Sequence, residues 1–180
     1  MTPWPAGGGR RPGPRCRRTE DATMTSRSCN RCDAEVAPTT LASAAGSDDP
    51  LTVTVRNLPV VACSAGHRQF VRATFAAELL DHLTQQDEPE LPAGEEKGLI
   101  RKRYLCESCG AELAPKPDHR HTFSIDVSLD RIDPFAVELT MPVYRCTACD
   151  KEQLHSLKEL RKHTPQALAE AFKAADIPPG

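Results

Sequence analysis

Aromatic residues are scarce in this chain, and long apolar runs are absent. Phe, Trp and Tyr make up 4% of the 180 residues, with a single tryptophan. No apolar stretch approaches the roughly 20 residues that a transmembrane helix needs, so the sequence predicts no contact with a membrane. With so few large apolar side chains, each half of the chain would build only a thin core. Thin cores usually need a disulfide or a metal ion to stabilise them.

The common sequence signatures of catalysis are missing as well. The sequence contains no G-x-S-x-G, no phosphate-binding loop and no H-E-x-x-H. No apolar segment of a secretory signal follows the N-terminal arginines, so we expect a cytoplasmic protein. Because thiols stay reduced in the cytoplasm, paired cysteines there are more often metal ligands than disulfides. We therefore expect a non-enzymatic protein whose eight cysteines serve mainly as metal ligands.

Two CxxC pairs in the second half of the chain have the spacing of a zinc site. Cys106 and Cys109 are separated by 36 residues from Cys146 and Cys149. A two-residue gap lets one tight turn aim both sulfurs at one ion, and two such turns supply the four thiolates that Zn²⁺ binds tetrahedrally. Gly110 fits the end of the first turn, since glycine adopts positive φ readily. Redox-active or buried free cysteines are the alternative.

The first half of the chain contains the same arrangement with one substitution. Cys29 and Cys32 form a CxxC pair, and 30 residues later Cys63 is followed, four positions on, by His67. Imidazole is an ordinary zinc ligand, and sets of three cysteines with one histidine are common. Gly66, directly before the histidine, gives the backbone freedom to turn there. The sequence thus predicts two Zn²⁺ ions per chain.

Composition divides the chain into two similar units. Residues 1–23 are rich in Pro, Gly and Arg and are expected to be a disordered extension, in which Cys16 is an unpaired bystander. Residues 84–100 have the prolines, glycines and acidic residues of a linker. The units 24–83 and 101–177 each contain a Cys pair followed by A-E-(V/L)-A-P, an alternating strand, a proline, a second ligand pair and an amphipathic helix. The predicted fold is a small, metal-stabilised α+β protein of two tandem zinc ribbons. Each ribbon is expected to be a β-hairpin or small antiparallel sheet followed by a helix.

Alternating apolar residues predict the strands. They are Val53 and Val55 in the first unit, and residues 123–129 and 135–143, an expected hairpin, in the second. Pro59 and Pro142 precede the second ligand pair of each unit. Because proline lacks the N–H that a sheet requires, each is expected to mark the end of strand pairing.

Apolar residues four positions apart predict one helix in each unit. The two stripes are Phe75, Leu79 and Leu83 in the first unit, and Leu168 and Phe172 in the second. Thr164 and Pro165 have the residue types of an N-cap and a first helical position, and Pro178 would stop the second helix. Because exposed apolar stripes are costly, we expect the two units to pack together, within one chain or between two copies.

These segments resemble the YgiT/MqsA-type zinc finger. CNRCD is similar to the first knuckle of that family, VTVRNLPVVACSAGH to its strand and second knuckle, and ELTMPVYRCTACDKEQL to a second copy. The resemblance implies zinc on Cys29, Cys32, Cys63 and His67, and on Cys106, Cys109, Cys146 and Cys149. In the family, the ribbon is often the toxin-binding half of an antitoxin and precedes a DNA-binding helix-turn-helix. An antitoxin-like, protein-binding role is therefore implied. This chain departs from the family pattern in two ways: His67 replaces a cysteine, and a second ribbon stands where the helix-turn-helix would be.

Charge is distributed unevenly along the chain. Residues 1–23 carry five arginines and two acidic residues, whereas the rest carries 18 basic and 23 acidic residues. An acidic body disfavours broad contact with phosphate backbones, so the expected partner is another protein, in an interaction or regulatory role. Nucleic acid is the alternative partner, through the N-terminal arm and the basic patch Arg101–Tyr104. A thiol redox switch that releases zinc on oxidation is the other alternative function, and a homo-oligomer is compatible with the helical stripes.

Two further polar clusters are interpreted as exposed surface. The run from Asp118 to His121 lies between prolines and a strand, which favours a solvated turn over a metal site. Glu152 and His155 have the spacing of a di-iron motif. They lack the additional carboxylates that such a site needs, so we expect them on the polar face of a helix.

Overall fold

The computed structural model describes residues 27–85, 91–98 and 102–178 of the chain. The predicted N-terminal extension, with Cys16, lies outside these residues, as does part of the predicted linker. Within the described ranges no helix is both long and apolar enough to cross a bilayer. The helices and strands in chain order are β1 (Val36–Asp48), β2 (Leu51–Cys63), β3 (Arg68–Phe70), α1 (Phe75–Gln85), β4 (Glu95–Lys97), β5 (Arg103–Leu105), β6 (His119–Val127), β7 (Phe135–Arg145), β8 (Glu152–Gln153) and α2 (Leu157–Ala174).

Four long strands form one antiparallel sheet in the order β1-β2-β7-β6, and the short strands β3 and β8 pair with β2 and β7. At its centre, residues 52–56 of β2 pair with residues 136–140 of β7. The two predicted units therefore share one sheet, which confirms the expectation that they pack together. A separate two-stranded sheet joins β5 to β4, which lies within the predicted linker.

The predicted α+β class is confirmed by these antiparallel sheets and the two helices. The expected hairpin of the second unit is formed by β6 and β7, which pair from His119 with Val143 to Val127 with Phe135. Side chains alternate between the two faces of a strand, and one face of the central strands lies against the core. Val53, Val55 and Val137 are on this face and are fully buried. The other face is polar, and there Arg56 of β2 pairs with Glu138 of β7 at 3.0 Å.

The two prolines that were predicted to end strand pairing lie inside strands instead. Pro59 lies in β2 and is paired with β1, and Pro142 lies in β7 and is paired with β6. On its other edge, β2 is paired with β7 up to Arg56 and with β3 from Val60. Strand β7 likewise changes partner, from β2 to β8, on either side of Pro142. A proline is tolerated in such a gap because no neighbouring strand requires its missing N–H.

Strand β1 has no alternating apolar pattern that would have predicted it. It pairs with β2 along its whole length, from Val36 with Cys63 to Asp48 with Leu51. Its sequence, VAPTTLASAAGSD, is small and polar, and most of its side chains are exposed. The strand lies at an edge of the sheet and is covered by α2. Its formation therefore depends on tertiary pairing rather than on local propensity.

The predicted helical stripes are confirmed and meet over the sheet. Phe75 and Leu79 of α1 are fully buried, and Leu168 and Phe172 of α2 are nearly so. Phe70, on β3, lies between the helices, with its ring centroid 5.3 Å from that of Phe75 and 4.8 Å from that of Phe172. Burial of each such side chain contributes roughly 1.5–3 kcal/mol, so this cluster joins both helices to one core.

Helix α2 begins earlier than predicted. It starts at Leu157, directly after Ser156, so Thr164 and Pro165 lie inside the helix and do not cap it. The Thr164 hydroxyl instead donates a hydrogen bond to the Leu160 carbonyl at 3.0 Å. Pro165 removes one helical N–H, at a local cost. Packing of α2 on β1 and β2 outweighs that cost.

The C-terminal end of α2 is a Schellman turn built without glycine. Ile177 donates its N–H to the Phe172 carbonyl and Asp176 to the Lys173 carbonyl, each at 3.0 Å. Asp176 takes the left-handed conformation, with φ of 57°. The turn satisfies carbonyls that the helix end leaves free, and the helix therefore ends ahead of Pro178, the predicted stop.

Gly46 brings β1 against the backbone of α2. A Cβ atom at this position would lie 2.1 Å from the Ala171 nitrogen and 2.4 Å from the Ala167 oxygen. Both alanines are fully buried, so α2 presents small side chains where it crosses the strand. The close approach explains why a glycine lies within an otherwise regular strand.

We predict that Gly46→Ala destabilises the protein by about 2–3 kcal/mol, because the added methyl group has no space without separating α2 from β1. Equilibrium unfolding in urea measures the change. Ser43→Ala, at an exposed position of the same strand, is the control and should stay within about 0.5 kcal/mol of wild type. Equal stability of Gly46→Ala and wild type would contradict the described contact.

Candidate metal centres

The four cysteines of the second unit lie close together without forming disulfides. The Sγ atoms of Cys106 and Cys149 are 3.6 Å apart, as are those of Cys109 and Cys146. All four sulfurs lie within 4.8 Å of one another. A disulfide requires about 2.05 Å. Zn–S bonds of about 2.3 Å in a tetrahedron place neighbouring sulfurs about 3.8 Å apart, so the spacing fits one zinc ion.

The first unit gathers its four predicted ligands in the same way. The Cys29 sulfur is 3.7 Å from His67 Nδ1, and the Cys32 and Cys63 sulfurs are 3.7 Å apart. The four ligand atoms again lie within 4.8 Å of one another. We call this set the first centre and the four-cysteine set of the second unit the second centre. The structure therefore brings together all eight residues that the sequence singled out, and either set could hold a metal ion.

The three CxxC turns share one backbone pattern. The N–H of the first cysteine donates to the carbonyl five residues later, and the N–H four residues later donates back to the first cysteine. The forward bonds are Cys29 to Ala34 at 2.8 Å, Cys106 to Ala111 at 2.7 Å and Cys146 to Lys151 at 2.9 Å. The pattern aims both sulfurs of a turn to the same side.

Each CxxC turn closes on a residue with positive φ. Gly110 has φ of 73°, as its position after the second cysteine predicted. Asp33 and Asp150 occupy the equivalent positions, with φ of 55° and 60°, and were not identified from the sequence. The signal was present, because aspartate tolerates this conformation better than most residues and CNRCD and CTACD align with CESCG.

The turn that carries His67 is one residue tighter. Gly66, with φ of 83°, donates its N–H to the Cys63 carbonyl at 2.9 Å and stands where a second cysteine would be. The ligand therefore comes one position later. The imidazole, which is longer than a cysteine side chain, reaches the set through Nδ1. The role predicted for Gly66 in this turn is confirmed by its positive φ.

Neighbouring thiols of the second centre have pKa values shifted in opposite directions. Burial would raise the pKa of Cys106, but the nearby Gln153 amide and N–H groups of the turn lower it to about 6. A backbone hydrogen bond would lower the pKa of Cys109, but the adjacent Cys146 sulfur and burial raise it to about 12. Thiols this close do not all ionise by themselves. A divalent cation would supply the charge that lets four thiolates coexist, so the donor chemistry fits a bound metal.

Arginines on both loops of the first centre hold the C-terminal end of α2. Arg31, between the two cysteines of the first turn, contacts both carboxylate oxygens of Asp176 at 2.8 and 3.0 Å. Arg68, next to His67, donates to the Ala175 carbonyl at 3.1 Å. The hydrogen bond from Arg31 lowers the pKa of Asp176. The position of this helix end thus depends on the loops that carry the ligands.

An apolar groove runs between α1 and α2 beside the first centre. Its volume is about 660 Å³, and its walls include Phe70, Leu80, Leu168 and Phe172. Arg31 and Asp176 also line the groove. The groove is therefore formed by both helices and borders the loop of the first centre.

Among the described residues, the remaining polar clusters do not form a comparable ligand set. Asp118, His119 and Glu152 also lie within 4.8 Å, but Arg145 contacts the two carboxylates at 3.6 and 2.7 Å. The guanidinium already neutralises these acids. The run from Asp118 to His121 is exposed as predicted, although from His119 it belongs to β6 rather than to a turn.

His155 is not on a polar helix face, contrary to the sequence prediction. It follows β8 and stacks between Tyr104 and Tyr144, with ring centroids 4.2 and 3.2 Å away. Its Nε2 lies 3.2 Å from the Ala114 carbonyl oxygen. Glu152 lies in β8, so the two residues do not share a helix. The stack packs beside the second centre, because Tyr144 is two positions before Cys146.

Compared with known proteins, the chain matches no family model, no curated protein and no solved structure. The resemblance to the YgiT/MqsA-type zinc finger therefore stays a prediction.

We predict that the purified protein carries two equivalents of zinc and that His67→Ala loses one of them in a chelator competition. The reason is that only three ligands of the first centre would be left. His119→Ala, which removes an exposed histidine outside both sets, is the matched control and should retain two equivalents. Elemental analysis after the chelator step gives the count. Two equivalents in His67→Ala would contradict the assigned first centre.

Proposed function

We propose that this chain is a non-enzymatic protein of two tandem zinc ribbons that holds two structural Zn²⁺ ions and recognises another protein. The observation that carries the proposal is the closure of each ligand set by four side-chain atoms of the chain. A catalytic zinc keeps one position open for water or substrate. Two closed sets support a structural role for both ions.

The choice of zinc rests on the donor atoms and their spacing. One set offers four thiols and the other three thiols with one imidazole. Tetrahedral sulfur-rich sets favour zinc, whereas magnesium and calcium require more ligands, mostly oxygen. Free thiols in both sets are in keeping with the cytoplasmic location that we propose.

The apolar groove between α1 and α2 supports a protein partner. A groove between two helices suits the apolar face of an amphipathic segment, which would bury the exposed parts of Ala77 and Leu80. The antitoxin-like interaction implied by the sequence resemblance would be of this kind. A second copy of the chain is one form that such a partner could take.

Nucleic acid is less well supported as a partner. Within the described part of the basic patch, Lys102 lies 3.0 Å from Glu96 and Arg103 lies 4.0 Å from Glu112. Tyr104, the aromatic residue of the patch, is stacked on His155. The patch is therefore already partly neutralised by acidic residues of the same chain.

A thiol redox switch is favoured by one observation. Cys32 and Cys109 are exposed, one in each centre, so an oxidant could reach a sulfur of either set. Release of zinc at low doses of peroxide, reversed by a thiol reductant, would support this function.

The test of protein recognition compares two substitutions on α1. We expect Leu80→Glu, which places a charge in the groove, to weaken partner binding at least tenfold. Thr84→Glu, one turn further along the same helix and outside the groove, should bind as wild type does. Proteins from the native host that are captured by wild type and Thr84→Glu, but not by Leu80→Glu, are then purified and titrated calorimetrically.

Two results would count against the proposal. Equal capture by all three proteins would show that the groove does not recognise the partner. Retention of DNA or RNA that weakens steeply with salt, together with loss of protein capture after nuclease treatment, would favour the nucleic-acid function.

A further inference from the structure

Gln153 is a buried polar side chain beside the second centre, and the nitrogen of its amide lacks a hydrogen-bonding partner. It lies on β8 and is 1% exposed. Its Oε1 accepts a hydrogen bond from the Glu107 N–H at 3.1 Å. Its Nε2 is buried and has no hydrogen-bonding partner among the described residues. An amide donor left unpaired in a core costs roughly 1–3 kcal/mol, so its position requires an explanation.

The sulfur of Cys106 provides that explanation. Cys106 is 2% exposed and directly precedes Glu107, the residue that fixes the other end of the Gln153 amide. The Gln153 side chain is one of the polar groups that lower the pKa of the Cys106 thiol, although its Nε2 does not reach hydrogen-bond geometry with the sulfur. A thiol is a weak acceptor, whereas a metal-bound thiolate carries excess negative charge and accepts an N–H well. Nε2 would thus gain its partner when the cysteine is a ligand.

We propose that Gln153 is a positioning residue of the second centre, whose amide holds the first CxxC turn at the Glu107 N–H and donates from Nε2 to the Cys106 thiolate. This inference rests on the proposed function, because it requires a metal ion on the second centre. Gln153 does not contact the metal. It fixes the direction of one ligand and withdraws charge from its sulfur.

The first unit supplies an internal comparison. Gln69, on β3, accepts a hydrogen bond through Oε1 from the N–H of Asn30 at 3.2 Å, and Asn30 follows Cys29 as Glu107 follows Cys106. The Gln69 Nε2, however, donates to the Ser28 carbonyl at 3.3 Å. Gln69 is also partly exposed. The two glutamines therefore hold their turns alike, and only Gln153 has a nitrogen left for a sulfur.

The test replaces each glutamine by glutamate, which keeps the acceptor oxygen and the length but removes the N–H donor. We expect Gln153→Glu to lower the metal affinity of the second centre by about 10–100-fold in a chelator competition. Gln69→Glu should change the affinity of the first centre much less. Circular dichroism of the zinc-loaded proteins establishes whether each variant folds. If Gln153→Glu fails to fold, Gln153→Met and Gln69→Met are compared in the same chelator competition. These substitutions remove the donor without adding charge.

Cobalt(II) substitution gives a readout that loss of packing alone would not move. Without the N–H donor the sulfur lone pairs rise in energy, so the sulfur-to-cobalt charge-transfer band of Gln153→Glu or Gln153→Met should shift to longer wavelength. The proposal would be overturned by an unshifted band together with a loss of affinity at the second centre no larger than the loss that the Gln69 variant shows at the first centre. Failure of the wild type to bind metal at all would instead overturn the proposed function.

Discussion

The structure depends on two sets of four ligand atoms. Each set brings together chain segments that are distant in sequence. Cys63 is the last residue of β2, and Cys146 directly follows β7, so each set fixes one end of a central strand. Because β2 and β7 are antiparallel, the two centres lie at opposite ends of the shared sheet. The apolar core that these strands share contains few aromatic side chains. Metal binding would therefore contribute directly to folding, and its loss from one end would be felt through the common strands.

The first centre also bears on the surface we propose for a partner. Arg31 and Arg68, one on each ligand loop, hold Asp176 and the Ala175 carbonyl at the end of α2. That helix forms one wall of the apolar groove, and Phe70 on β3 also lines it. Ligand loops, helix end and groove are thus connected by direct contacts. A closed metal site can in this way support recognition without itself touching the partner.

Short-range patterns in the sequence predicted the parts of the molecule whose chemistry is local. The spacing of the cysteines and the histidine predicted the two groups of four side chains that the structure brings together. Apolar residues at every second position predicted β6 and β7, and apolar residues at every fourth position predicted α1. Strand β1 was missed because its small, polar residues form a strand only by pairing with β2 and packing under α2. The predictions from Pro59 and Pro165 were wrong for the same reason, because tertiary structure outweighed local preference. At Pro59 the strand changes its partner, and at Pro165 the helix packs on the sheet. The spacing of residues in the sequence could not identify Gln153, because the role that we propose for it depends on its burial beside a sulfur.

X-ray absorption at the zinc edge, on protein purified without added metal, tests the central claim most directly. Seven cysteines and one histidine shared between two ions correspond to an average of 3.5 sulfur and 0.5 nitrogen ligands per zinc. We predict a dominant sulfur shell at about 2.3 Å with a minor nitrogen contribution at about 2.0–2.1 Å. An average of two or more oxygen or nitrogen ligands per zinc, or protein that carries no zinc, would contradict the account.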